Sequence, residues 1–371
     1  MAIDIDKELD KLNAVWRKRK QEGLQGWHGY GVNSDESRLV LFVEPGFDEE
    51  EIIKAAKLNT EVQSITDTLS SVHFRQMDTG DSPRPSTPLR PGARVFGVGP
   101  SGVSCNGTIA AFLKLHNDGK NGSYWLLSNQ HVLADEDGLP YNVEVRGAGQ
   151  TLLSREVRVP EFTGKPRAVD AAVARIGHED IEDIEISYDR IRINSPKPLP
   201  GARVTRGLKV QKFGNATGVT SGELISRRAT VEVANCKDEG TTVYADQLVF
   251  GSKSDTFLAH GDSGALVISN EDPVNDQPVD KHPVALMFAI AEDVPQLPDD
   301  LKDFMPPFGL ASPIATVLEK LPHDQGQHWE ILLGNPHDED EREREKKPYK
   351  EAHDAPGITS PEYLQQLPQK K

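Results

Sequence analysis

The hydrophobic pattern of the first 80 residues predicts a helix followed by a small mixed unit. Between positions 4 and 22, five apolar residues recur near a period of 3.6 residues with charged residues between them, which is typical of an amphipathic helix. They are Ile5, Leu9, Leu12, Val15 and Trp16. Residues 39–43 (LVLFV) form an unbroken apolar run and predict a buried strand, while residues 71–77 (SVHFRQM) alternate as a second strand does.

A second helix is predicted to begin after Phe47. Four acidic residues follow it, at positions 48–51, and the first turn of a helix favours negative charge. We therefore interpret residues 24–80 as a small α/β accessory domain. It is too short and too poor in glycine to carry a nucleotide site.

From about residue 95 the pattern changes to many short apolar runs separated by turn residues. Residues 81–94, rich in proline and serine, predict a linker before this region. The runs GTIAAFLKL and SYWLLS, joined by the turn-forming segment HNDGKNG, predict a β-hairpin, and similar runs recur as far as residue 291. Many short strands with few helices indicate a β-sandwich or β-barrels.

The end of the chain differs again in composition. Residues 313–321 (PIATVLEKL) predict one late helix, and residues 336–371 are rich in charge and poor in apolar residues, which predicts a disordered tail. The predicted organisation is therefore an N-terminal helix, the accessory domain, the linker, a β-rich domain and the tail. Their bounds are 1–23, 24–80, 81–94, 95–335 and 336–371.

Charge and targeting signals narrow the partners and the compartment. The 371 residues carry 58 acidic and 42 basic side chains, a formal net charge of −16, so we expect neither nucleic acid nor a membrane as a partner. The N-terminus lacks the apolar core of a signal peptide, and no apolar run approaches the roughly 20 residues that span a bilayer. The two cysteines, Cys105 and Cys236, are expected to be free thiols in a reducing compartment. We expect a cytoplasmic protein.

The strongest chemical signal is residues 260–265 (HGDSGA). A nucleophilic serine needs to be exposed on a sharp turn, and flanking glycines let backbone amides point at a developing oxyanion. Gly, Asp and Ser are also common in ordinary turns, so Ser263 is a candidate nucleophile only if the chain supplies a base.

Two predicted strand ends supply candidates for that base and its partner. His131 follows the apolar run 124–127 and would activate a serine, although a histidine that merely caps a strand end is the alternative. Asp170 precedes an apolar run, where a buried carboxylate needs a partner such as imidazole, although a turn aspartate is the alternative. Together with Ser263, these residues predict a catalytic triad.

The same segments resemble the three signature blocks of trypsin-like serine peptidases. The blocks are SNQHVL around His131, VDAAVA around Asp170 and GDSGAL around Ser263. The resemblance is closer to an intracellular branch of bacterial and fungal proteins, distantly similar to plant narrow-leaf-type proteins, and covers most of residues 24–335. It implies a mainly β fold of two antiparallel β-barrels of the chymotrypsin type, with the small α/β accessory domain in front.

The resemblance also implies roles for individual residues. His131 would be the general base, Asp170 the carboxylate that orients it, and Ser263 the nucleophile that forms an acyl-enzyme. The backbone amides of Gly261 and Ser263 would form the oxyanion hole. The implied function is a serine endopeptidase acting on a polypeptide substrate, and a regulatory protein is a further candidate partner because intracellular peptidases must be restrained.

One departure from the family pattern concerns specificity. Phe257 lies six residues before Ser263, where the family has the base of its primary specificity pocket, and Phe288 and Ala289 lie where the pocket wall is expected. An aspartate at the base selects Arg or Lys, and Phe257 cannot do so. We therefore predict a preference for small or apolar side chains, with a simple core role for Phe257 as the alternative.

Other chemistries have no signature in the chain. It contains no CxxC pair, no HExxH motif, no P-loop and no dinucleotide fingerprint, so we expect neither a metal nor a cofactor. Two rival functions remain. One is a catalytically silent or latent protease-like scaffold protein, and the other is an esterase or amidase that uses the same triad.

Overall fold

The computed structural model describes most of the chain before residue 334. The described residues are 4–23, 25–33, 39–44, 47–58, 66–70, 74–76, 90–99, 104–118, 122–135, 137–146, 151–154, 156–161, 166–177, 184, 186, 193–205, 207–235, 240–272, 279–291 and 303–333. Positions 81–89 of the predicted linker, Cys236 and the predicted tail lie outside them. The linker, the tail and the state of Cys236 therefore stay predictions.

Among the described residues, the N-terminal segment forms two helices and four strands. They are α1 (Ile5–Gln21), β1 (Trp27–Asn33), β2 (Leu39–Val43), α2 (Glu49–Ala55), β3 (Thr66–Ser70) and β4 (Phe74–Gln76). Both predicted helices and the predicted strand at 39–43 are confirmed. Each helix begins at an aspartate, Asp4 or Asp48, whose side chain accepts a hydrogen bond from a backbone amide of the first turn.

In the described part of the chain after residue 90, fifteen strands, two short α-helices and one turn of 3₁₀-helix (Gly201–Arg203) follow. The α-helices are α3 (Gln130–Leu133) and α4 (Ile314–Lys320). The strands are β5 (Arg94–Val98), β6 (Ser104–Thr108), β7 (Ala111–His116), β8 (Ser123–Ser128), β9 (Asn142–Arg146), β10 (Thr151–Ser154), β11 (Val157–Arg158), β12 (Ala172–Arg175), β13 (Lys209–Gly214), β14 (Gly218–Ala234), β15 (Thr241–Ser252), β16 (Leu266–Ser269), β17 (Pro283–Ala291), β18 (Met305–Pro313) and β19 (His328–Ile331). The predicted β7–β8 hairpin and the predicted late helix α4 are confirmed.

These strands make the fold mainly β, as expected. The first half contains a four-stranded sheet, β10-β9-β5-β6, and a five-stranded sheet, β11-β12-β8-β7-β19. The second half contains a larger sheet in which β13, β16, β17, β18, β15 and β14 pair in that order, and β14 pairs again with β13. Hydrogen bonds thus run around these six strands as a ring, whereas no hydrogen-bonded strand pair between described residues joins the two sheets of the first half.

The N-terminal segment continues the larger sheet. β1 pairs antiparallel with β14, β2 pairs with β1, and β3 pairs in parallel with β2. α1 covers this extension with its apolar face, burying Leu9, Leu12 and Trp16. The short strand β4 instead pairs with β14 and β17, which places it beside the second half.

Two further sequence predictions concern single features. Cys105 is buried in β6, as a small apolar side chain would be. In the ranges that the structure describes, no helix is both long enough and apolar enough to cross a membrane.

Candidate active site

Strand pairing brings His131 and Asp170 to the same place. β8 and β12 run antiparallel with Ser128 opposite Ala172, so the residues after β8 meet the residues before β12. β8 is buried along its whole length, and the single helical turn α3 that follows it carries His131. Asn129, which lies between β8 and α3 in the chain, donates a hydrogen bond from its side-chain amide to the Asp170 carbonyl at 2.7 Å.

The carboxylate of Asp170 is fully buried and is held on both oxygens. Its Oδ1 accepts hydrogen bonds from the backbone amides of Gln130 at 2.7 Å and His131 at 3.3 Å, and its Oδ2 lies 2.7 Å from His131 Nδ1. Burial alone would raise the pKa of Asp170, but the charge and hydrogen bonds of His131, with a contribution from Arg167, hold it below the ordinary value of 3.8. Asp170 is therefore ionised at neutral pH, and His131 carries its proton on Nδ1.

Ser263 lies on a tight turn that enters β16. Gly261 and Gly264 adopt positive φ angles of 99° and 87°, and the Gly264 amide donates to the Met287 carbonyl at 2.8 Å. A Cβ at Gly264 would lie 2.2 Å from the Thr108 carbonyl oxygen, so only glycine fits there. The turn places Ser263 Oγ 2.9 Å from His131 Nε2.

The three predicted triad residues therefore form one hydrogen-bonded chain from Asp170 through His131 to Ser263. With Nδ1 protonated, His131 Nε2 has a lone pair directed at the serine hydroxyl. A hydroxyl next to a free imidazole nitrogen can lose its proton as it attacks an electrophile. The arrangement can thus generate a nucleophile without a metal ion.

Thr108 in β6 orients the backbone of the same turn. Its Oγ1 donates to the Gly261 carbonyl at 2.8 Å, and its amide donates to the Ser263 carbonyl at 2.6 Å. Both carbonyls thus point towards β6. Gly261 and Ser263 lie on one turn, as the predicted oxyanion hole requires, and their role as donors stays a prediction.

A buried ion pair next to Ser263 was missed by sequence reasoning. Lys212 Nζ lies 2.8 Å from Asp262 Oδ2, and neither side chain has solvent exposure. The Asp262 carboxylate also accepts the backbone amides of Ala216, Thr217 and Ala259 at 3.0 to 3.2 Å. Because Asp262 is joined covalently to Ser263, these contacts tie the turn that carries Ser263 to β13 and to the loop after it.

One signal in the sequence indicates this ion pair. Residues 208–211 (LKVQ) alternate between apolar and polar, and continuing this alternation puts Lys212 on the same inward face of β13 as Val210. A charged side chain on an inward-facing strand position needs a buried partner of opposite charge. Gly214 contributes as well, since a Cβ there would lie 2.0 Å from Asp262 Oδ1.

The residues predicted to line the specificity pocket belong to two different clusters of buried side chains. Phe257 is fully buried beside Phe250, with ring centroids 6.2 Å apart. Phe288 and Ala289 belong to the neighbouring cluster, in which the Phe288 ring packs against Tyr244. The structure thus brings Phe288 and Ala289 together and places Phe257 elsewhere in the second-half core. A pocket role for these residues stays a prediction.

The triad itself is closed to solvent in this conformation. Ser263 has 0% and His131 has 2% of its surface exposed. A peptide carbonyl can therefore reach Ser263 Oγ only after neighbouring residues move. Among the described residues, no group of three His, Cys, Asp or Glu side chains is placed to hold a metal ion.

Comparison with known proteins gives matches in structure only. No protein-family model matches the sequence, and neither does any curated protein. Among solved structures, the chain is similar to a glutamic acid-specific serine protease, with 14% identity over 66% of this chain and 100% of that chain and a TM-score of 0.40. It is also similar to a Nocardiopsis protease, with 12% identity over 63% and 99% of the two chains and a TM-score of 0.38.

A third similar structure is a chymotrypsin from Cellulomonas bogoriensis, with 13% identity over 66% of this chain and 98% of that chain and a TM-score of 0.37. Membership of the intracellular branch stays a prediction.

Proposed function

We propose that this protein is a serine endopeptidase that uses Ser263, His131 and Asp170. The observation that carries the proposal is the continuous hydrogen-bonded chain, 2.9 Å from Ser263 Oγ to His131 Nε2 and 2.7 Å from His131 Nδ1 to Asp170 Oδ2. A buried, ionised carboxylate that orients a histidine towards a serine hydroxyl is the arrangement that nucleophilic acyl transfer requires.

The reaction proceeds in two halves. Ser263 Oγ forms a bond to the scissile carbonyl carbon while its proton moves to His131 Nε2, and the carbonyl oxygen becomes an oxyanion that the amides of Gly261 and Ser263 stabilise. Collapse breaks the C–N bond, and the imidazolium gives its proton to the departing amine. Water then attacks the acyl-enzyme by the same route, which releases the acid and restores Ser263.

A second candidate is a latent or catalytically silent protease-like protein. One observation favours it: the side chains of Ser263 and His131 have almost no solvent exposure. A latent enzyme would need a regulatory protein or another trigger to open the site, whereas a silent one would never turn over.

Hydrolysis assays separate these functions. The full-length protein and its Ser263→Ala variant are compared on a positional library of internally quenched peptides and on a nitrophenyl ester. Peptide cleavage that the variant loses supports an endopeptidase, and ester cleavage alone supports the esterase. No turnover of either substrate by folded protein supports the latent or silent protein, and cleavage only after Arg or Lys would overturn the predicted apolar preference.

A further inference from the structure

The short strand β4 lies directly beside the candidate active site, although it precedes the β-rich region in sequence. Arg75 and Gln76 pair antiparallel with Ile290 and Ala289 of β17, and residues 74 and 75 pair in parallel with β14. The Met287 carbonyl of β17 accepts the amide of Gly264, which adjoins the nucleophile. Hydrogen bonds to two strands thus fix the backbone of β4 close to the triad.

The side chain of Gln76 reaches the triad carboxylate. It is 3% exposed, and its Nε2 lies 3.3 Å from Asp170 Oδ2. The same oxygen lies 2.7 Å from His131 Nδ1 and 3.5 Å from Tyr244 Oη. Gln76 is therefore a neutral donor to the oxygen that orients the histidine.

The two carboxylate oxygens are held in different ways. Backbone amides of residues 130 and 131 fix Oδ1, and α3 determines their positions. The donors to Oδ2 are side chains. One of them, His131, is itself oriented by the carboxylate, so it cannot also serve to fix the position of that carboxylate. A donor to Oδ2 other than His131 fixes the orientation of the carboxylate and stabilises its negative charge.

We propose that Gln76 is a positioning residue of the triad, so that the N-terminal segment completes the active site. The proposal rests on the proposed function. Gln76 acts through Asp170: its amide N–H holds Oδ2 against His131 Nδ1 and so directs Nε2 towards Ser263. Among the described residues, the charged and titratable groups that face Asp170 are His131, Arg167 and Tyr244, and Gln76 adds a donor without adding a charge.

The test uses full-length protein with Gln76→Met, which keeps the length of the side chain and removes the donor, and Gln76→Glu, which keeps the shape and adds a second carboxylate. Gln211→Ala is the control, because Gln211 lies on β13 and contacts Ser221 and Lys281 instead of the triad. Three quantities are measured: thermal unfolding, the rate of fluorophosphonate labelling against pH, and the strongly deshielded proton resonance of the His131–Asp170 hydrogen bond.

We expect Gln76→Met to label about 10- to 100-fold more slowly, the range for a hydrogen bond to a charged group. The fall in its labelling rate at acid pH should begin at a higher pH. A carboxylate that has lost the Gln76 hydrogen bond stabilises the imidazolium form of His131 more strongly. Gln76→Glu should raise the pH of this fall further, since a second negative charge adds to the effect. Both variants should shift the deshielded resonance, and the control should change none of the three quantities.

Two results would overturn the proposal. One is folded Gln76→Met with the wild-type labelling rate, pH profile and resonance, which would limit Gln76 to packing. The other is faster labelling of Gln76→Met than of the wild type, which would indicate that Gln76 restricts access to Ser263. If the wild type does not label at all, the proposed function fails separately, and the resonance still reports whether Gln76 positions the histidine.

Discussion

Two buried carboxylates flank the candidate active site, and they differ in the partner that neutralises them. Asp170 and Asp262 are both fully buried, and each accepts five hydrogen bonds from described residues. Asp170 faces His131, whereas Asp262 faces Lys212. One carboxylate is therefore paired with an imidazole, which can accept and release a proton during a reaction, and the other with a lysine side chain.

The two carboxylates therefore have different roles, one in proton transfer and one in holding the backbone turn. The Asp170 region connects to Ser263 through an imidazole, so it can take part in proton transfer. The Asp262 region connects to Ser263 through the backbone, and its donors are the loop amides, Lys212 and the Thr217 hydroxyl, so it can only hold the turn in place. Removing either carboxylate should lower activity, but only removal of Asp262 leaves a buried lysine cation without its partner, so only that change should also cost much stability.

The largest expected effect is that of Asp170→Asn on activity. A neutral amide no longer keeps the proton on His131 Nδ1, so Nε2 loses its role as acceptor. We expect kcat/KM to fall roughly 10³- to 10⁴-fold while the variant stays folded. Peptide hydrolysis and thermal unfolding are measured together, and a variant that keeps more than a tenth of wild-type kcat/KM would contradict the role of Asp170.

Next in size is the effect of Lys212→Met on stability. It leaves the Asp262 charge buried without its cation, which should lower the free energy of unfolding by about 3–5 kcal/mol. The double variant Lys212→Met/Asp262→Asn removes both charges and should recover much of that loss. Denaturant unfolding gives these values.

The matched control for this prediction is Lys209→Met on the same strand. Lys209 pairs with Asp272 at the surface, where both side chains are at least half exposed, so the change should leave the free energy of unfolding nearly unchanged. Equal losses for the buried and the exposed lysine would show that the Asp262 pair does not hold the turn.

A smaller effect is expected for Gly214→Ala. The added methyl would lie 2.0 Å from Asp262 Oδ1, so the carboxylate must move, which should lower the free energy of unfolding by about 1–3 kcal/mol and slow labelling of Ser263. Gly201→Ala is the control, since nothing lies within 4 Å of a Cβ there. Wild-type stability and labelling in Gly214→Ala would rule out the close packing of Asp262 on β13.

The smallest effect concerns alkaline pH. Burial lowers the pKa of Lys212 below the ordinary 10.5, although Asp262 opposes the shift. As pH rises through this lowered pKa, the amine becomes neutral and the Asp262 pair is lost, so labelling should fall at a pH below 10.5.

Stability should not fall with it, because the neutral amine, unlike the side chain introduced by Lys212→Met, can still donate a hydrogen bond to Asp262. Between the lowered pKa and 10.5, the unfolded chain binds more protons at Lys212 than the folded chain does, so this group makes the free energy of unfolding rise with pH. Labelling and unfolding are measured on the same samples between pH 8 and 10.5. A parallel loss of stability would assign the fall in labelling to unfolding instead of to Lys212.

The sequence identifies residues whose role is local and misses those whose role depends on distant pairing. His131, Asp170 and Ser263 each lie beside a strand within a recognisable block, and the structure brings them together. Lys212 had a local signal in the alternation of β13. Gln76 had none, because its contact with Asp170 depends on pairing between β4 and β17 across more than 200 residues.

The same reasoning explains the fold predictions. α1, α2, β2, the β7–β8 hairpin and α4 follow from local periodicity and capping. The pairing of β1 with β14, which continues the second-half sheet into the N-terminal segment, is a long-range feature that periodicity cannot show. The predicted boundary between the accessory domain and the β-rich domain stays a prediction.

The most direct test of the central claim is fluorophosphonate labelling of the full-length protein, compared with folded Ser263→Ala and His131→Ala. A fluorophosphonate reacts with a serine whose neighbouring base accepts its proton, so it reports the Ser263–His131–Asp170 chain without requiring a known substrate. We predict labelling of the wild type at Ser263 and its loss in both variants. Labelling that persists in Ser263→Ala would contradict the assignment of Ser263 as the nucleophile. Folded wild-type protein that does not label at all would contradict an active peptidase and would support the latent or silent protein.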